Sequence, residues 1–339
     1  MASRLIRTYT FPLLLIILIV VFAFSSDVFL SGKNIVTILR QVAPVGIIAV
    51  GATYVILTGG IDLSVGSTAA FVGVLCANWL REGQVGVAPT VLAMLFLGAI
   101  LGTFNGLMVS KVGIPDFIVT LATMGIFRAF VYIGAHKAEG TGLIENVIIE
   151  DKSFVWLGNG TIGPFHVPVY AFLLVALIFY IVLRFTNFGV NVYAVGGNIT
   201  AARMSGINAD RVKTLVYTIC GFTAALAGVA MTARSRTGTT LAGVGMELDV
   251  IAAVIVGGTS IMGGRGSVLG TVLGAIFIGV LNNGMSLARV SAYIQPIAKG
   301  VVIILAVMID SWARRMGQQH VVTRTKRGKP AEQTKTEVA

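Results

Sequence analysis

A short, glycine-rich polar segment separates two apolar runs of the chain, and it strongly limits the folds that are available. Residues 59–67 read Gly-Gly-Ile-Asp-Leu-Ser-Val-Gly-Ser and lie between the apolar runs 45–57 and 65–79. Lipid offers no hydrogen bonds, so such a backbone lies at membrane depth only where protein or a water-filled cavity surrounds it. Broken helices are a common way of building a transport pathway. The break therefore predicts a transport protein.

The low share of charged residues places most of the chain in a membrane. Of the 339 residues, 56% are hydrophobic and 12% are charged, whereas about a quarter of a soluble domain is charged. Most of the surface must therefore face lipid or other protein. We expect an all-α polytopic membrane protein with about ten transmembrane helices, some of them short or broken. The candidate runs are 11–30, 42–58, 64–80, 88–108, 117–135, 167–185, 214–233, 248–264, 267–288 and 294–312.

Two of these runs leave the number of spans open. The run 42–58 is short and the run 248–264 contains two glycine pairs, so either segment can be re-entrant. The order of residues in Val55–Ser67 is also echoed in Val254–Ser267. Such an echo indicates an internal repeat with a pathway between its halves. Chance similarity is the alternative, since the chain contains 41 glycines.

Lys and Arg are distributed unevenly over the predicted loops, which indicates the orientation of the chain. With a cytoplasmic N-terminus, the inner loops and the tail receive more of these residues than the outer loops do. Both termini are therefore expected in the cytoplasm, and the net charge of +11 needs no nucleic-acid partner. Residues 1–312 form the predicted transmembrane domain, with an inner loop at 186–213. The basic tail 313–339 has few apolar residues, so we expect it to be disordered and to contact lipid headgroups.

The inner loop contains a short helix with a start signal and a stop signal. Asn198 or Thr200 is suited to the N-cap, residues 201–205 favour helix, and Gly206 suits the left-handed position after a helix end. Two interpretations remain open. The helix is either a rigid contact for a soluble partner or an ordinary loop helix on the membrane surface.

Several segments resemble one family of transporters. Thr200-Ala201-Ala202, followed by Gly206, is similar to the Glu-Ala-Ala…Gly loop by which permeases of ATP-binding-cassette importers engage their ATPase subunits, with Thr in place of Glu. The segment 56–67 resembles the signature of ribose-type monosaccharide permeases. The segments 247–253, 257–260 and 281–284 are similar to this family too. The resemblance runs in order from about residue 35 to residue 312.

This resemblance implies the permease subunit of an ATP-driven, binding-protein-dependent importer of a monosaccharide in the bacterial inner membrane. The implied partners are an ABC ATPase subunit, a periplasmic or extracellular sugar-binding protein, and a second permease that is either another copy or a related chain. ATP is used by the partner subunit. The chain is expected to be no enzyme and to hold no cofactor or metal, since its sequence contains no Gly-x-x-x-x-Gly-Lys-Ser/Thr phosphate loop. The residues implied in ATPase coupling are Asn198, Thr200, Ala201, Ala202, Arg203 and Gly206.

Small and polar residues inside the apolar runs are the candidates for the pathway, because the hydroxyls of a sugar suit amide and hydroxyl partners. Most of them are equally suited to hydrogen bonds between helices. Asp62 can cap the helix that begins near Leu63, or it can act as a pathway residue. The candidates are Gly59, Gly60, Asp62, Ser64, Asn105, Gly257, Gly258, Asn282, Asn283 and Gln295.

Four charged residues at or near the ends of apolar runs have other expected roles. Glu247 and Asp249 precede the eighth run on the outer side, where they either cap its helix or contact basic residues of the binding protein. Arg128 and Lys299 are expected to extend their charged ends toward the membrane surface, and a role in the pathway is the alternative.

An ion-coupled secondary transporter of a small polar solute is the alternative function. That class needs buried carboxylates or an ion site in a broken helix. Asp62 and Asp116 are the acidic candidates in the first half of the chain. The two functions differ in whether transport needs a separate ATPase.

Overall fold

The computed structural model describes residues 2–83, 85–137, 144–291, 293–305 and 308. Helices dominate this part of the chain. They are α1 (Ala2–Ser25), α2 (Gly32–Leu57), α3 (Val65–Arg81), α4 (Val87–Leu107), α5 (Asp116–Gly134), α6 (Lys152–Asn159), α7 (Val167–Phe185), α8 (Asn187–Gly197), α9 (Ile199–Met204), α10 (Ala209–Ser235), α11 (Met246–Val256), α12 (Val268–Leu287) and α13 (Gln295–Leu305). A π-helical turn at Met108–Val112 extends α4.

Within the described residues, six helices are long and apolar enough to cross a membrane. They are α2, α4 with its π-helical turn, α5, α7, α10 and α12. The expectation of an all-α polytopic membrane protein therefore fits, whereas the number of ten spans is not confirmed. Each of the ten predicted runs carries a helix, but several of these helices are too short to count as spans by length and composition.

The two uncertain runs differ from each other in the structure. The run 42–58 belongs to α2, which has 26 residues, so the expectation of a short segment is wrong. Polar residues in the first half of α2, among them Arg40 and Gln41, hide its true start. The run 248–264 contains α11, which has only 11 residues. At 1.5 Å per residue this helix is about 16 Å long, roughly half of the hydrocarbon thickness.

The centre of the fold is α10, which packs against α2, α3 and α4. Glycines on α4 allow the closest approach. Gly98 and Gly102 lie against the backbone of Gly221, and Gly106 lies against Thr214. This four-residue spacing is a frequent way of bringing membrane helices together, because dispersion contacts replace the missing hydrophobic drive.

Short strands and one small helix form the segment between α5 and α7. Three antiparallel pairs, each two residues long, join β1 (His136–Lys137) to β2 (Ile144–Glu145), β3 (Val147–Ile148) to β6 (Thr237–Gly238), and β4 (Thr161–Ile162) to β5 (Phe165–His166). Asp151 caps α6 by accepting from the backbone N–H groups of Ser153 and Phe154. The predicted tail 313–339 lies outside the described residues.

Candidate functional site: two helix breaks, a cytoplasmic helix and a polar cavity

The first break begins with a Schellman motif at the end of α2. Gly59 has a φ of +78°. Its N–H donates to the carbonyl of Ile56 (2.9 Å), and the N–H of Gly60 donates to that of Val55 (3.0 Å). This pattern satisfies carbonyls that a helix end leaves without partners, and glycine fits its left-handed position. Sequence reasoning placed the break correctly.

Asp62 organises the turn between the break and α3. Its Oδ1 accepts from the backbone N (2.9 Å) and the Oγ (2.6 Å) of Ser64. Ser64 is the residue before α3, which begins at Val65, two residues later than expected. The Ser64 hydroxyl also accepts from Asn105 Nδ2 on α4 (2.9 Å). All three polar side chains are buried, so this chain of bonds ties the break to α4.

The residue between the glycines and Asp62 is held from two further helices. The backbone N–H of Ile61 donates to Asp116 Oδ2 at the start of α5. The carbonyl of Ile61 accepts from the Tyr217 hydroxyl on α10 (3.3 Å). Asp116, like Asp62, is therefore engaged by backbone of the break. Four helices thus fix the path of this segment.

The second break repeats the local geometry of the first. Gly258 has a φ of +89°. Its N–H donates to Ile255 (2.8 Å), and the N–H of Thr259 donates to Val254 (3.1 Å). The echo in the sequence therefore corresponds, residue by residue, to the same helix ending in α2 and α11. Helix, break and helix follow in the same order in α2–α3 and α11–α12.

The two breaks touch each other and the end of α8. The N–H of Gly264 donates to the carbonyl of Leu57 (2.8 Å). Gly196 lies so close that a Cβ there would collide with the same carbonyl. Tyr193, one turn earlier in α8, donates its hydroxyl to the carbonyl of Gly266 (2.8 Å). The Tyr193 phenol is protonated at neutral pH, and burial raises its pKa further. We call this set of contacts between the two breaks and α8 the junction.

The helix predicted in the inner loop is present and follows the junction directly. Asn198 is its N-cap and accepts from the N–H of Ala201 (3.0 Å). At its other end Gly206 has a φ of +83°, and its N–H donates to Arg203 (3.0 Å). The start and stop signals are confirmed. The preceding helix α8 was missed, because its glycines and short length resemble a loop.

One face of α9 is available to a partner. Ala202 is 4% exposed and packs inward, whereas Met204 is 87% exposed. Thr200 and Ala201 are exposed as well. Arg203 pairs with Asp210 at the start of α10 (2.7 Å) on the exposed surface. A rigid, partly apolar face of this kind is suited to contact with another protein.

A polar cavity of about 360 Å³ lies between α2, α10, α12 and α13. Its size falls in the range of about 300–1,000 Å³ that is usual for small-molecule sites. The predicted pathway residues Asn282 and Gln295 both line it. The other polar residues in its wall are Gln41, Arg234, Ser286 and Lys299.

Lys299 in this wall forms an ion pair with Asp249, which lies behind it. Lys299 Nζ lies 2.8 Å from Asp249 Oδ1 and 2.9 Å from Oδ2. The two side chains are 20% and 11% exposed. The expectation that Lys299 extends to the membrane surface is therefore wrong, because the lysine has a buried partner. Arg128 likewise donates to the carbonyls of Thr240 and Ala242 (3.1 and 2.8 Å).

Of three further candidates, Asn283 and Glu247 lie apart from the cavity, and Asp249 lies behind its wall. Asn283 exchanges hydrogen bonds with Asn34 on α2 (3.0 and 3.1 Å). Glu247 has its carboxylate beside Gly66 at the start of α3, and Asp249 is buried. Contact of Glu247 or Asp249 with a binding protein stays a prediction.

Comparison with known proteins gives the family. A family model described as the branched-chain amino acid transport system permease component matches residues 34–309. The chain belongs to this family of membrane permeases. No solved structure matches it.

Curated relatives cover most of this permease. It is 40% identical over 299 residues to the ribose import permease protein RbsC of Haemophilus influenzae, across 88% of this chain and 91% of that protein. It is 42% identical over 296 residues to RbsC of Bacillus subtilis, across 87% and 90%. It is 34% identical to the xylose transport system permease protein XylH of Escherichia coli, across 89% and 91%.

The permease thus has two groups of candidate residues. Gly59, Gly60 and Asp62 belong to the first break and Gly257 and Gly258 to the second, and the two breaks touch at the junction. Asn282 and Gln295 line the cavity. Asn282 follows Gly270, which packs on the second break, by 12 positions on α12, or about 18 Å. Sequence reasoning missed Gln41, and it gave Lys299 a role in the pathway only as the alternative. The available signal was a polar side chain inside an otherwise apolar helix.

Proposed function

We propose that this chain is the membrane-spanning permease subunit of an ATP-driven, binding-protein-dependent importer of a monosaccharide, with ribose and xylose as the first candidates. The names of the relatives supply the substrate class. The single structural observation that supports coupling to a separate motor is α9. It is capped at both ends, exposed on one face, and joined through Gly196 to the junction.

In this proposal an ABC ATPase docks on α9 from the cytoplasm, a soluble sugar-binding protein delivers the sugar outside, and a second permease completes the pathway. The protein lies in a bacterial inner membrane, and both of its termini lie on the cytoplasmic side. ATP-driven closure of the ATPases moves α9, and α8 transmits that motion to the two breaks. Sugar passes when the helices around the breaks change their tilt. The chain itself carries out no ATP hydrolysis.

The ion-coupled alternative has less support from the geometry. Asp62 and Asp116, its acidic candidates, accept hydrogen bonds from backbone of the first break. A carboxylate used in this way holds a turn and is poorly placed to exchange a coupling ion. The proposal therefore remains with the ATP-driven importer.

Reconstitution tests the proposal. The permease is purified with the ABC ATPase and the sugar-binding protein proposed as its partners and is placed in liposomes, and uptake of labelled ribose and xylose is measured. We expect uptake that needs ATP and all three components. Uptake by the permease alone under a proton or sodium gradient contradicts the proposal and supports the ion-coupled alternative.

Docking on α9 is tested by Met204→Asp, since this side chain is exposed and makes no buried contact. We expect loss of the co-purified ATPase while the permease still inserts in the membrane. Ile162→Asp is the matched control, because Ile162 is also exposed (50%) but lies on β4, far along the chain from α9. Equal ATPase recovery with both variants contradicts the assignment of α9. Ala202 is unsuitable for this test, because a charge there is buried.

A further inference from the structure

The wall of the polar cavity contains the partly buried ion pair of Lys299 and Asp249, which the proposed mechanism does not yet use. Lys299 lines the cavity, while Asp249 lies behind it. Ionisable side chains within membrane helices are costly and tend to mark a substrate path. Asp249 lies on the short helix α11 and Lys299 on α13, so the pair joins two elements that flank α12.

Asn282 completes this arrangement from α12. Its Nδ2 donates toward Asp249 Oδ2 (3.4 Å). The acceptor of the carboxamide, Oδ1, is covered and has no hydrogen-bond partner among the described residues. The carboxylate takes the amide N–H, so the oxygen is left as an unpaired acceptor. Asp249 therefore sets the orientation of both Asn282 and Lys299.

The two cavity side chains offer complementary hydrogen-bonding groups. An ammonium has three donors, and the two oxygens of Asp249 occupy at most two of them. Lys299 therefore retains a donor, and Asn282 retains an acceptor. A hydroxyl group both donates and accepts, so the hydroxyls of a sugar suit either kind of group. An apolar solute satisfies neither.

We propose that Lys299 and Asn282 hydrogen-bond the transported sugar in this cavity and that Asp249 is the residue that positions them; this inference rests on the proposed function. Lys299 and Asn282 are the contacts, and the carboxylate acts through them. The Lys299–Asp249 pair itself carries no net charge. Without the pair, the importer would hydrolyse ATP but would transport less sugar for each ATP.

The test measures sugar transported per ATP hydrolysed in liposomes that contain the complete importer. Lys299→Met removes the donor, Asp249→Asn removes the charge, and Asp249→Leu/Lys299→Met replaces the whole pair with apolar side chains. Buried ion pairs are often replaced in this way with no loss of stability. Lys299→Arg keeps the positive charge. Arg128→Met is the matched control, since it also removes a cation from an apolar helix but lies away from the cavity.

We expect at least a tenfold fall in sugar per ATP for Lys299→Met, Asp249→Asn and the double variant, with ATPase stimulation within about twofold of the wild type. Lys299→Arg should recover part of the loss, and Arg128→Met should keep the wild-type ratio. A purely structural pair predicts the reverse: the double variant folds and transports like the wild type. That outcome overturns the inference, as does a loss of assembly in the single variants with an unchanged ratio. A wild-type importer that moves neither ribose nor xylose contradicts the proposed function itself.

Discussion

The backbone N–H of Gly264 donates to the carbonyl of Leu57 across 2.8 Å, and this bond joins the two broken helices. Leu57 is the last residue of α2, so its carbonyl has no partner within the helix. Gly264 belongs to the second break, more than 200 positions later in the chain. The same carbonyl is covered by Gly196 of α8. Three segments that are distant in sequence therefore meet at one backbone oxygen.

The junction predicts a sharp difference between two neighbouring glycines. A Cβ at Gly196 meets the Leu57 carbonyl and the N of Gly264, whereas a Cβ at Gly197 meets nothing within 4 Å. Gly196→Ala should therefore destabilise the fold by about 1–3 kcal/mol through overpacking, and it should reduce ATP-driven sugar uptake. Gly197→Ala should resemble the wild type. Thermal unfolding in detergent and uptake in liposomes measure the two effects.

A wild-type result for Gly196→Ala contradicts the role of the junction. If Gly196→Ala unfolds at the wild-type temperature and transports at the wild-type rate, then the contact between α8 and the breaks has no role in stability or coupling. Gly197→Ala also replaces a glycine of α8 but adds no close contact. It therefore shows whether the loss of backbone flexibility alone changes stability or transport.

Gly206 is needed for its backbone conformation and not for lack of space. Its φ is +83°, and nothing lies within 4 Å of a Cβ at this position. A residue with a Cβ loses about 1–2 kcal/mol in the left-handed region, and asparagine tolerates that region better than β-branched residues do. Gly206→Val should therefore weaken co-purification of the ATPase, while Gly206→Asn keeps most of it. Equal recovery with both variants shows that the end of α9 is unimportant for docking.

The local features of the fold were predictable because each depends on neighbouring residues. The caps of α9 need only Asn198 and Gly206, and the helix endings at Gly59 and Gly258 need only glycine at the left-handed position. The contact between the two breaks was not predicted as such, since the sequence indicated only a repeat with a pathway between its halves. Contacts such as that of Leu57 with Gly264 depend on how whole helices pack, and no short sequence motif predicts them.

The roles of polar residues in apolar helices were harder to predict for a related reason. Asn282 and Asn283 are neighbours, yet 100° of rotation per residue directs one toward the cavity and the other toward Asn34. The length of α2 was misjudged because polar residues near its start interrupt the apolar pattern. Those residues face other helices and the cavity instead of lipid.

The close approach of α4 and α10 yields a stability prediction. A Cβ at Gly102 meets the backbone of Tyr217 and Gly221, whereas a Cβ at Gly125 on α5 meets nothing within 4 Å. Gly102→Ala should lower the unfolding temperature in detergent by several degrees, because backbone atoms cannot move aside as side chains do. Gly125→Ala should leave it unchanged or raise it slightly, since alanine favours helix. A similar unfolding temperature for both variants contradicts the close packing of α4 on α10.

Asn34 and Asn283 form a buried pair whose role is predicted to be structural. Each amide donates to the oxygen of the other, and Asn34 also donates to the carbonyl of Phe29 (2.8 Å). Asn283→Ala leaves Asn34 without this partner, so we expect a loss of about 1–3 kcal/mol in the free energy of unfolding. Asn34→Leu/Asn283→Leu removes both side-chain amides and should recover part of that stability, because only the carbonyl of Phe29 then loses a partner. Thermal unfolding in detergent measures the stability, and sugar uptake per ATP measures function. Uptake per ATP should stay close to the wild type in the double variant, in contrast to variants of Lys299. A double variant that is stable but fails to transport assigns Asn283 to the pathway.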